Sequence, residues 1–361
     1  MSNIKVLIVD DSAFMRKAIE TMIIKERTIE VVGVARNGQE AVDLTDKLGP
    51  DVVTLDIAMP IMDGIEALKV IMNKSPRPVI MVSSLTTDGA NATMDALDLG
   101  AVDFITKDKS FASFGILKIE EDLISKIKYF GRKFISSKNV IPHRESEYIK
   151  PSHNYLNNKK PRKPLPHKTK DHDISIVSIG TSTGGPMALQ HVIPKLPKDF
   201  NIPVLVVQHM PPNFTKSLAE RLNSLSHLTV VEAKGKELIE PGVVFIAKGG
   251  LHLKVRKIGK HYYTELTHEP TNMLFSPSVD VMFTSVANNY ANNALAVIMT
   301  GMGKDGLRGC QLLKDRGSII LAQDEESCVV YGMPRVVVEA DIADGIVPLD
   351  KLADKIIYYS T

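Results

Sequence analysis

The chain has 361 residues, 44% hydrophobic and 24% charged, an ordinary globular composition with a length that favours two domains. Its formal net charge of +2 argues against a generally basic surface and so against nucleic acid as a partner. No apolar run reaches the roughly 18 residues that span a bilayer, and Asp10 and Asp11 interrupt the first apolar run before a signal-peptide core forms. Cys310 and Cys328 are too few for a disulfide framework and lack metal-ligand spacing. We therefore expect a cytoplasmic protein without membrane insertion.

Residues 1–134 alternate short apolar runs with helix-like patterns. Continuous Val, Ile and Leu runs indicate strands that are buried on both faces, as in a parallel sheet. Helix-length segments separate the runs, so the sequence predicts a doubly wound, flavodoxin-like α/β domain. The five predicted strands are 4–9, 31–35, 52–56, 78–84 and 101–106.

Residues 135–171 are rich in Pro, Lys, Asn and His and poor in apolar residues, which predicts an exposed, semi-extended linker. Such a basic tract also suits an anionic membrane or nucleic acid, but its composition favours a solvated linker. In residues 172–361 the strand–helix alternation resumes and predicts a second doubly wound parallel-sheet domain with an inserted hairpin. Its predicted strands are 174–180, 203–208, 243–247, 294–301 and 318–322, with the hairpin at 251–259 and 261–267.

Ionisable side chains gather at the strand ends of the first domain. Asp10 and Asp11 follow the first predicted strand and Asp56 ends the third, so their side chains face one crevice. Three carboxylates repel one another there unless a hard divalent cation such as Mg²⁺ binds them, and one carboxylate can then attack phosphorus. Ser83 and Lys107, at the fourth and fifth strands, suit the oxygens of an acyl phosphate. A single aspartate at a strand end often only caps the next helix, but five suitable groups disfavour that interpretation.

The segments VDDS, LDIAMPIMDG, MVSS and TK resemble the response-regulator receiver family over roughly the first 125 residues. The resemblance implies that Asp56 is the phosphoacceptor and that Asp10 and Asp11 help it to hold Mg²⁺. It also implies that Ser83 and Lys107 sense the phosphoryl group.

Two further residues of this domain are interpreted through the same resemblance. Phe104 corresponds to the switch aromatic of the receiver family. Receivers usually have proline after the lysine of the fifth strand, whereas Lys107 is followed by Asp108. We expect the cis peptide of the family to be absent here, and the extra carboxylate to weaken or retune the switch.

The second domain opens with a strand that runs into the small-residue turn GTSTGG, 180–185. Backbone N–H groups point into the crevice at such a strand–turn–helix junction. The turn suits either a phosphate or a serine nucleophile, Ser182, beside an oxyanion hole. It lacks the ending of a P-loop, the GxGxxG fingerprint and the GxSxG elbow, so the turn alone leaves both alternatives open.

Two other strand ends favour the nucleophile. His209 follows the second strand of this domain, and Asp305 lies in the glycine-rich loop TGMGKDG after a later strand. Serine, histidine and aspartate at three parallel strand ends can meet in one crevice. Histidine then takes the serine proton, while the aspartate orients the imidazole. Alone, His209 would be interpreted as a structural or surface histidine.

The motifs GTSTGGP, QHMPPNFT, FSPSVDVMF, MTGMGKDG and AQDEESCVVYGMPR are similar to the catalytic domain of chemotaxis protein-glutamate methylesterases, over residues 174–360. The order receiver, linker, esterase also agrees. The resemblance implies hydrolysis of glutamyl methyl esters on the cytoplasmic helices of chemoreceptors, often with deamidation of glutamines, and control by a chemotaxis histidine kinase. It implies no cofactor for the esterase.

Residue by residue, the resemblance implies Ser182 as nucleophile, His209 as base and Asp305 as orienting acid. It implies that the backbone of Met302 helps to bind the oxyanion, with Thr183 as a weaker candidate.

Three alternatives remain at this stage. Asp280 is an acidic alternative to Asp305, although we expect the segment FSPSVDVMF to serve packing, with a helix start at Ser276–Pro277. The rival function is a receiver fused to a non-catalytic nucleotide- or phosphate-binding module that uses 180–185 as an anion loop. A transcriptional regulator is disfavoured because helix–turn–helix patterning is missing after the linker.

Overall fold

Two parallel β-sheets organise the chain in the computed structural model, which describes residues 3–107, 116–138 and 173–360. The chain divides into two units, and each sheet belongs to one of them. Among the described residues, no helix is both long enough and apolar enough to cross a bilayer.

The first sheet has five parallel strands in the order β2-β1-β3-β4-β5, and all five predicted strands are confirmed. The order reverses between β1 and β3, which is where a doubly wound sheet opens its ligand crevice. The strands are β1 (Ile4–Val9), β2 (Ile29–Ala35), β3 (Val52–Asp56), β4 (Val79–Ser84) and β5 (Asp103–Lys107). The helices are α1 (Ala13–Ile23), α2 (Gly38–Leu48), α3 (Gly64–Lys74), α4 (Thr87–Asp98) and α5 (Ile116–Lys138).

Polar side chains begin the helices that follow the first three strands. Ser12 and Asn37 accept hydrogen bonds from backbone amides in the first turns of α1 and α2. Asp63 and Glu66 form a reciprocal capping box at the start of α3. These caps satisfy amides that have no partner within the helix, and they therefore set where each strand–helix loop ends.

The end of α5 corrects one expected boundary. The helix continues to Lys138, so residues 135–138 are helical rather than part of a linker. The remainder of the expected linker, 139–171, and Asp108 lie outside the described residues, and what the sequence indicates for them stays a prediction.

The second sheet has seven strands in the order β14-β13-β12-β6-β7-β9-β8, all pairing in parallel. The predicted hairpin forms a separate antiparallel pair, β10-β11. Sequence patterns missed β8 and β14, because strands this short at the two sheet edges carry little periodicity. The strands are β6 (Ile176–Thr181), β7 (Val204–Gln208), β8 (Thr229–Glu232), β9 (Val243–Ile246), β10 (His252–Ile258), β11 (His261–Thr267), β12 (Ala294–Ile298), β13 (Ile319–Gln323) and β14 (Gly345–Val347).

The helices of this domain cover a sheet whose central strands are completely buried. Val279, Met282, Phe283 and Val286 of one helix pack into the main core cluster. The helices are α6 (Gly185–Val192), α7 (Phe214–Leu225), α8 (Val279–Tyr290), α9 (Leu307–Asp315), α10 (Met333–Glu339) and α11 (Leu349–Ser360).

The topology brings three strand ends together. β6 is the first strand of the domain, yet it lies in the middle of the sheet between β12 and β7. From β6 the chain first adds β7 on one side of that strand, and it later adds β12 on the other side. Loops that follow these strands open on the same crevice at this reversal of strand order.

Candidate functional sites

The first site lies at the carboxyl ends of β1 and β3. Oxygen atoms of Asp10, Asp11 and Asp56 lie within 4.8 Å of one another. Asp10 and Asp56 are buried, whereas Asp11 is exposed. Closely spaced carboxylate oxygens, some of them open to solvent, are the ligands that Mg²⁺ prefers, so this group of residues fits the expected cation.

Lys107 provides a positive charge to the same cluster. Its Nζ atom lies 2.8 Å from Oδ2 of Asp10 and 2.7 Å from Oδ2 of Asp56. Burial raises the pKa of Asp56 to about 6, although the hydrogen bond and charge of Lys107 act in the opposite direction. Burial by itself lowers the pKa of Lys107, but the two carboxylates outweigh burial and raise it.

Ser83 and Phe104 lie on the neighbouring strands. Asp56 pairs with Val82 in the sheet, so Ser83 is the next residue along β4, and Ser83 is buried. Phe104 on β5 is also buried. Ser83 therefore lies at the same end of the sheet as Asp56, and the switch roles of Ser83 and Phe104 stay predictions.

Lys126 lies on the buried side of α5 and belongs to none of the motifs recognised in the sequence. Its Nζ donates to the carbonyl oxygen of Phe104 at 2.8 Å and lies 5.9 Å from the centroid of the Phe104 ring. It also forms ion pairs with Asp103 and Asp122. Two carboxylates and a carbonyl thus stabilise a buried ammonium beside the expected switch aromatic. A lysine within the apolar stripe of α5 was the available signal.

The raised pKa of Asp56 generates a prediction for Asp56→Asn. The ordinary pKa of 3.8 is raised to about 6 in the folded protein, which therefore favours the protonated form of this carboxyl. The stability that this preference provides is fully present below about pH 4 and is lost as the pH rises through about 6. Asparagine cannot ionise. We therefore expect the substitution to stabilise the first domain at pH 8 by on the order of 2 kcal/mol more than at pH 4. Denaturant unfolding of the full chain without divalent cations measures both values.

A cation provides the control for that measurement. Mg²⁺ added at pH 8 is expected to stabilise the wild type more than Asp56→Asn, because the variant has lost one ligand carboxylate. A substitution effect that is the same at pH 4 and pH 8 would contradict the raised pKa.

The second site begins with Ser182, directly after β6. Thr181 and Gln208 are paired residues on β6 and β7, so Ser182 and His209 each follow a member of the same pair. The amide of Ser182 donates to the carbonyl oxygen of Thr300 at 3.0 Å. Its own carbonyl accepts from Nε2 of Gln208 at 2.9 Å and from the amide of Gly185 at 2.8 Å. The backbone on both sides of the serine is thus held by neighbouring strands and by the start of α6.

His209 is fixed from three directions. Its amide donates to the carbonyl of Thr181 at 3.1 Å, and its Nε2 lies 2.7 Å from Oδ2 of Asp305. Its ring stacks on Phe275, with centroids 4.1 Å apart and planes inclined by 14°. An ionised carboxylate can only accept a hydrogen bond, so Nε2 of the neutral imidazole carries the proton and Nδ1 presents a lone pair. Nδ1 is buried and has no hydrogen-bond partner among the described residues.

Asp305 is buried at the N-terminus of α8. Its carboxylate accepts from Oγ of Ser278 at 2.9 Å and from the amides of Val279, Asp280 and Gly306 at 2.7, 3.0 and 3.1 Å. Burial alone raises the pKa, but His209 and the helix amides outweigh burial and lower it to about 2. The positive end of the helix dipole acts in the same direction. Asp305 is therefore ionised throughout the neutral pH range.

The segment FSPSVDVMF is more than packing, and that expectation was wrong. Ser278 is the N-cap of α8, which begins at Val279 rather than at Ser276–Pro277. The segment provides donors to Asp305 and, through Phe275, the aromatic ring on His209. The carboxylate of Asp280 has a different partner from that of Asp305, because it accepts from the amide of Gly309 at 2.8 Å. Burial raises the pKa of Asp280.

The two expected oxyanion groups flank the nucleophile. Thr183 follows it in sequence, and Met302 is half-buried in the loop after β12. Gly301 brings that loop close to Ser182, since a Cβ atom on Gly301 would lie only 2.9 Å from Cβ of Ser182. Only glycine allows this approach. The structure therefore brings the five predicted residues of this site to the ends of three adjacent strands.

Sequence reasoning missed Gln208, Phe275, Ser278 and Thr300. Ser278 carried a signal, because serine followed two residues later by an acidic residue is typical of a helix start. Gln208, Phe275 and Thr300 lie within the quoted motifs but have no pattern that distinguishes them from ordinary core residues.

Comparison with known proteins defines the class of each domain. Residues 6–114 match the family model described as response regulator receiver domain, and residues 177–356 match the model described as CheB methylesterase. The second domain is similar to the crystal structure of the Thermotoga maritima CheB methylesterase catalytic domain. The TM-score is 0.50 at 45% identity, covering 51% of this chain and 98% of that one.

Full-length relatives give the family. The chain is 46% identical to the protein-glutamate methylesterase/protein-glutamine glutaminase of Halalkalibacterium halodurans, over 99% of this chain and 98% of the relative. It is 45% identical to the protein of the same name from Archaeoglobus fulgidus, over 98% of this chain and 97% of the relative. The chain belongs to the protein-glutamate methylesterase/protein-glutamine glutaminase family, which confirms both resemblances and the predicted fold class.

Proposed function

We propose that this protein is a serine hydrolase that demethylates glutamyl methyl esters on chemoreceptors during chemotaxis adaptation, under the control of phosphorylation at Asp56. The observation that carries the catalytic part is the contact between Nε2 of His209 and Asp305, which leaves Nδ1 without a hydrogen-bond partner among the described residues and available as a base. His209 and Ser182 follow paired residues of two adjacent strands. An anion-binding loop has no need of a buried histidine–aspartate pair. The non-catalytic rival is therefore disfavoured.

The first half of the reaction forms an acyl-enzyme. The hydroxyl oxygen of Ser182 attacks the ester carbonyl carbon while its proton passes to Nδ1 of His209. Asp305 stabilises the resulting imidazolium. The amides of Met302 and Thr183 donate hydrogen bonds to the carbonyl oxygen, which now bears the negative charge. The bond from carbon to the methoxy oxygen then breaks, and that oxygen takes the proton from His209 to leave as methanol.

Water completes the cycle. His209 accepts a proton from water, whose oxygen attacks the acyl carbon. The bond to the oxygen of Ser182 breaks, and that oxygen recovers the proton. The products are a free glutamate side chain and the regenerated enzyme. Deamidation follows the same route with ammonia as the leaving group, and the double name of the relatives supports this second activity.

The receiver supplies the control in this proposal. Asp10, Asp11 and Asp56 would hold Mg²⁺, which neutralises charge on an incoming phosphoryl group. Lys107 and Ser83 would bind the oxygens of the phosphoryl group, and Phe104 would change its position when Asp56 is phosphorylated. The phosphoryl donor is the chemotaxis histidine kinase, and the receptor substrate places the enzyme in the cytoplasm.

Ser182→Ala tests the nucleophile. Removal of the hydroxyl removes the attacking atom, so we expect methanol release from methylated receptor to fall to background and a fluorophosphonate probe no longer to label the chain. Phosphorylation of Asp56 should be unchanged. Ser178→Ala changes a buried serine on β6, the strand that ends directly before Ser182, and is the matched control. It should keep both methanol release and probe labelling.

Ester hydrolysis that survives in Ser182→Ala would refute the assignment. Protection of the loop by a nucleotide, without labelling of Ser182 in the wild type, would support the binding module instead.

Asp305→Asn and Asp280→Asn separate the two acidic candidates. Asparagine at 305 cannot stabilise the imidazolium and favours the wrong tautomer of His209, so kcat should fall by roughly 10³- to 10⁴-fold. Asparagine at 280 leaves the contact between His209 and Asp305 in place, and kcat should change by less than about 10-fold. Steady-state methanol release measures both, and equal losses would contradict the role given to Asp305.

Phosphorylation control is tested on three proteins. An acyl phosphate with Mg²⁺ should increase the esterase rate of the wild-type chain and should not affect Asp56→Asn. Residues 172–361 alone should be active without a phosphodonor if the receiver inhibits the esterase. Equal rates in all three proteins, with and without the donor, would exclude inhibition by the receiver.

A further inference from the structure

Thr300 lies two residues after β12 and connects that strand to the nucleophile loop. Its backbone carbonyl accepts from the amide of Ser182 at 3.0 Å and from the hydroxyl of Thr181 at 2.8 Å. Its amide donates to Oε1 of Gln323 on β13 at 2.8 Å. The backbone of this one residue is thereby joined to both strands that flank β12.

The hydroxyl of Thr300 makes a second set of contacts. It donates to the carbonyl oxygen of Thr183 at 2.9 Å and accepts from the amide of Val330 at 3.0 Å. The side chain is only 1% exposed, so water does not replace these partners. The hydroxyl therefore connects the loop after β6 to the segment that precedes α10.

That segment in turn holds the other oxyanion loop. The amide of Gly301 donates to the carbonyl of Val330 at 3.0 Å, and the carbonyl of Gly301 accepts from the amide of Met333 at 2.8 Å. Met302 is the next residue. One buried hydroxyl thus joins the backbone of Thr183 to the backbone that carries Met302.

The peptide groups around Thr183 are anchored at both ends. The carbonyl of Ser182, in the peptide that bears the amide of Thr183, accepts from Nε2 of Gln208 and the amide of Gly185. The next peptide is held through its carbonyl by the hydroxyl of Thr300. Oxyanion donors act only at about 2.7–3.1 Å from the developing charge, so small rotations of these peptides matter.

We propose that Thr300 is a positioning residue. Its hydroxyl holds the amides of Thr183 and Met302 where both can donate hydrogen bonds to the tetrahedral oxyanion. This inference rests on the proposed function. Thr300 does not touch the substrate, and its effect is on the transition state rather than on the bound ester.

Thr300→Val and Thr300→Ser test this role in the full chain. Valine keeps the shape and removes the hydroxyl, so kcat for methanol release from methylated receptor should fall about 10- to 100-fold while KM changes less than about 3-fold. Serine keeps the hydroxyl and should recover kcat to within about 3-fold of wild type. A glutamyl aldehyde peptide, which forms a tetrahedral adduct with Ser182, should lose affinity in parallel with kcat/KM.

Thr264→Val is the matched control. Thr264 is also 1% exposed, and its hydroxyl likewise accepts one backbone amide, that of Glu237, and donates to one oxygen, on the Glu237 carboxylate. It lies on β11, outside the seven-stranded sheet. We expect this variant to lower the melting temperature about as much as Thr300→Val and to leave kcat unchanged.

The outcomes separate this inference from the proposed function. A Thr300→Val enzyme with wild-type kcat, an equal loss of kcat in Thr264→Val, or no recovery in Thr300→Ser would overturn the positioning role. Ester hydrolysis retained in Ser182→Ala would instead overturn the proposed function. If Thr300→Val does not fold, Thr300→Ala replaces it, with the same expected kcat and KM and the same contrary results.

Discussion

The buried carboxylate of Asp305 is the constraint on which the second domain depends. An ionised carboxylate is unfavourable in the protein interior unless several donors satisfy it. Here the donors come from the N-cap and first turn of α8, from the loop after β12, and from His209 beyond β7. These elements must be docked together before the charge is stabilised. The same contacts that make the site possible therefore also specify how α8 packs against the centre of the sheet.

Two buried carboxylates of this chain have opposite electrostatic environments. Asp305 receives enough hydrogen bonds to lower its pKa to about 2, so it is a permanent anion that can orient an imidazole. Burial dominates at Asp56 and raises its pKa to about 6, even with Lys107 beside it. A bound cation stabilises such a poorly solvated anion, and phosphorylation replaces the carboxylate charge. The first environment suits a rigid site and the second suits a switch.

Strand ends carried most of the sequence-based reasoning. Ser182, His209 and Asp305 were predicted because each follows a buried strand, and parallel strands open on a common crevice. The interpretation of FSPSVDVMF failed for a related reason. Phe275 and Ser278 follow no strand of the parallel sheet, and their roles depend on where α8 docks. Helix periodicity indicates which face of a helix is buried, but it does not indicate which loop its N-terminus meets.

The sequence by itself determined the two-domain parallel α/β organisation, the limits of all strands except β8 and β14 to within a few residues, and the residue types at the strand ends. These follow from local apolar patterns and from turn chemistry, which a short stretch of chain contains in full. Only the tertiary structure decided that Nε2 of His209 meets Asp305, that Phe275 covers the imidazole, and that Thr300 joins two loops. The physical reason is that each of these contacts pairs residues distant in sequence, and a hydrogen bond or a ring stack of this kind leaves no periodic trace in either partner's neighbourhood.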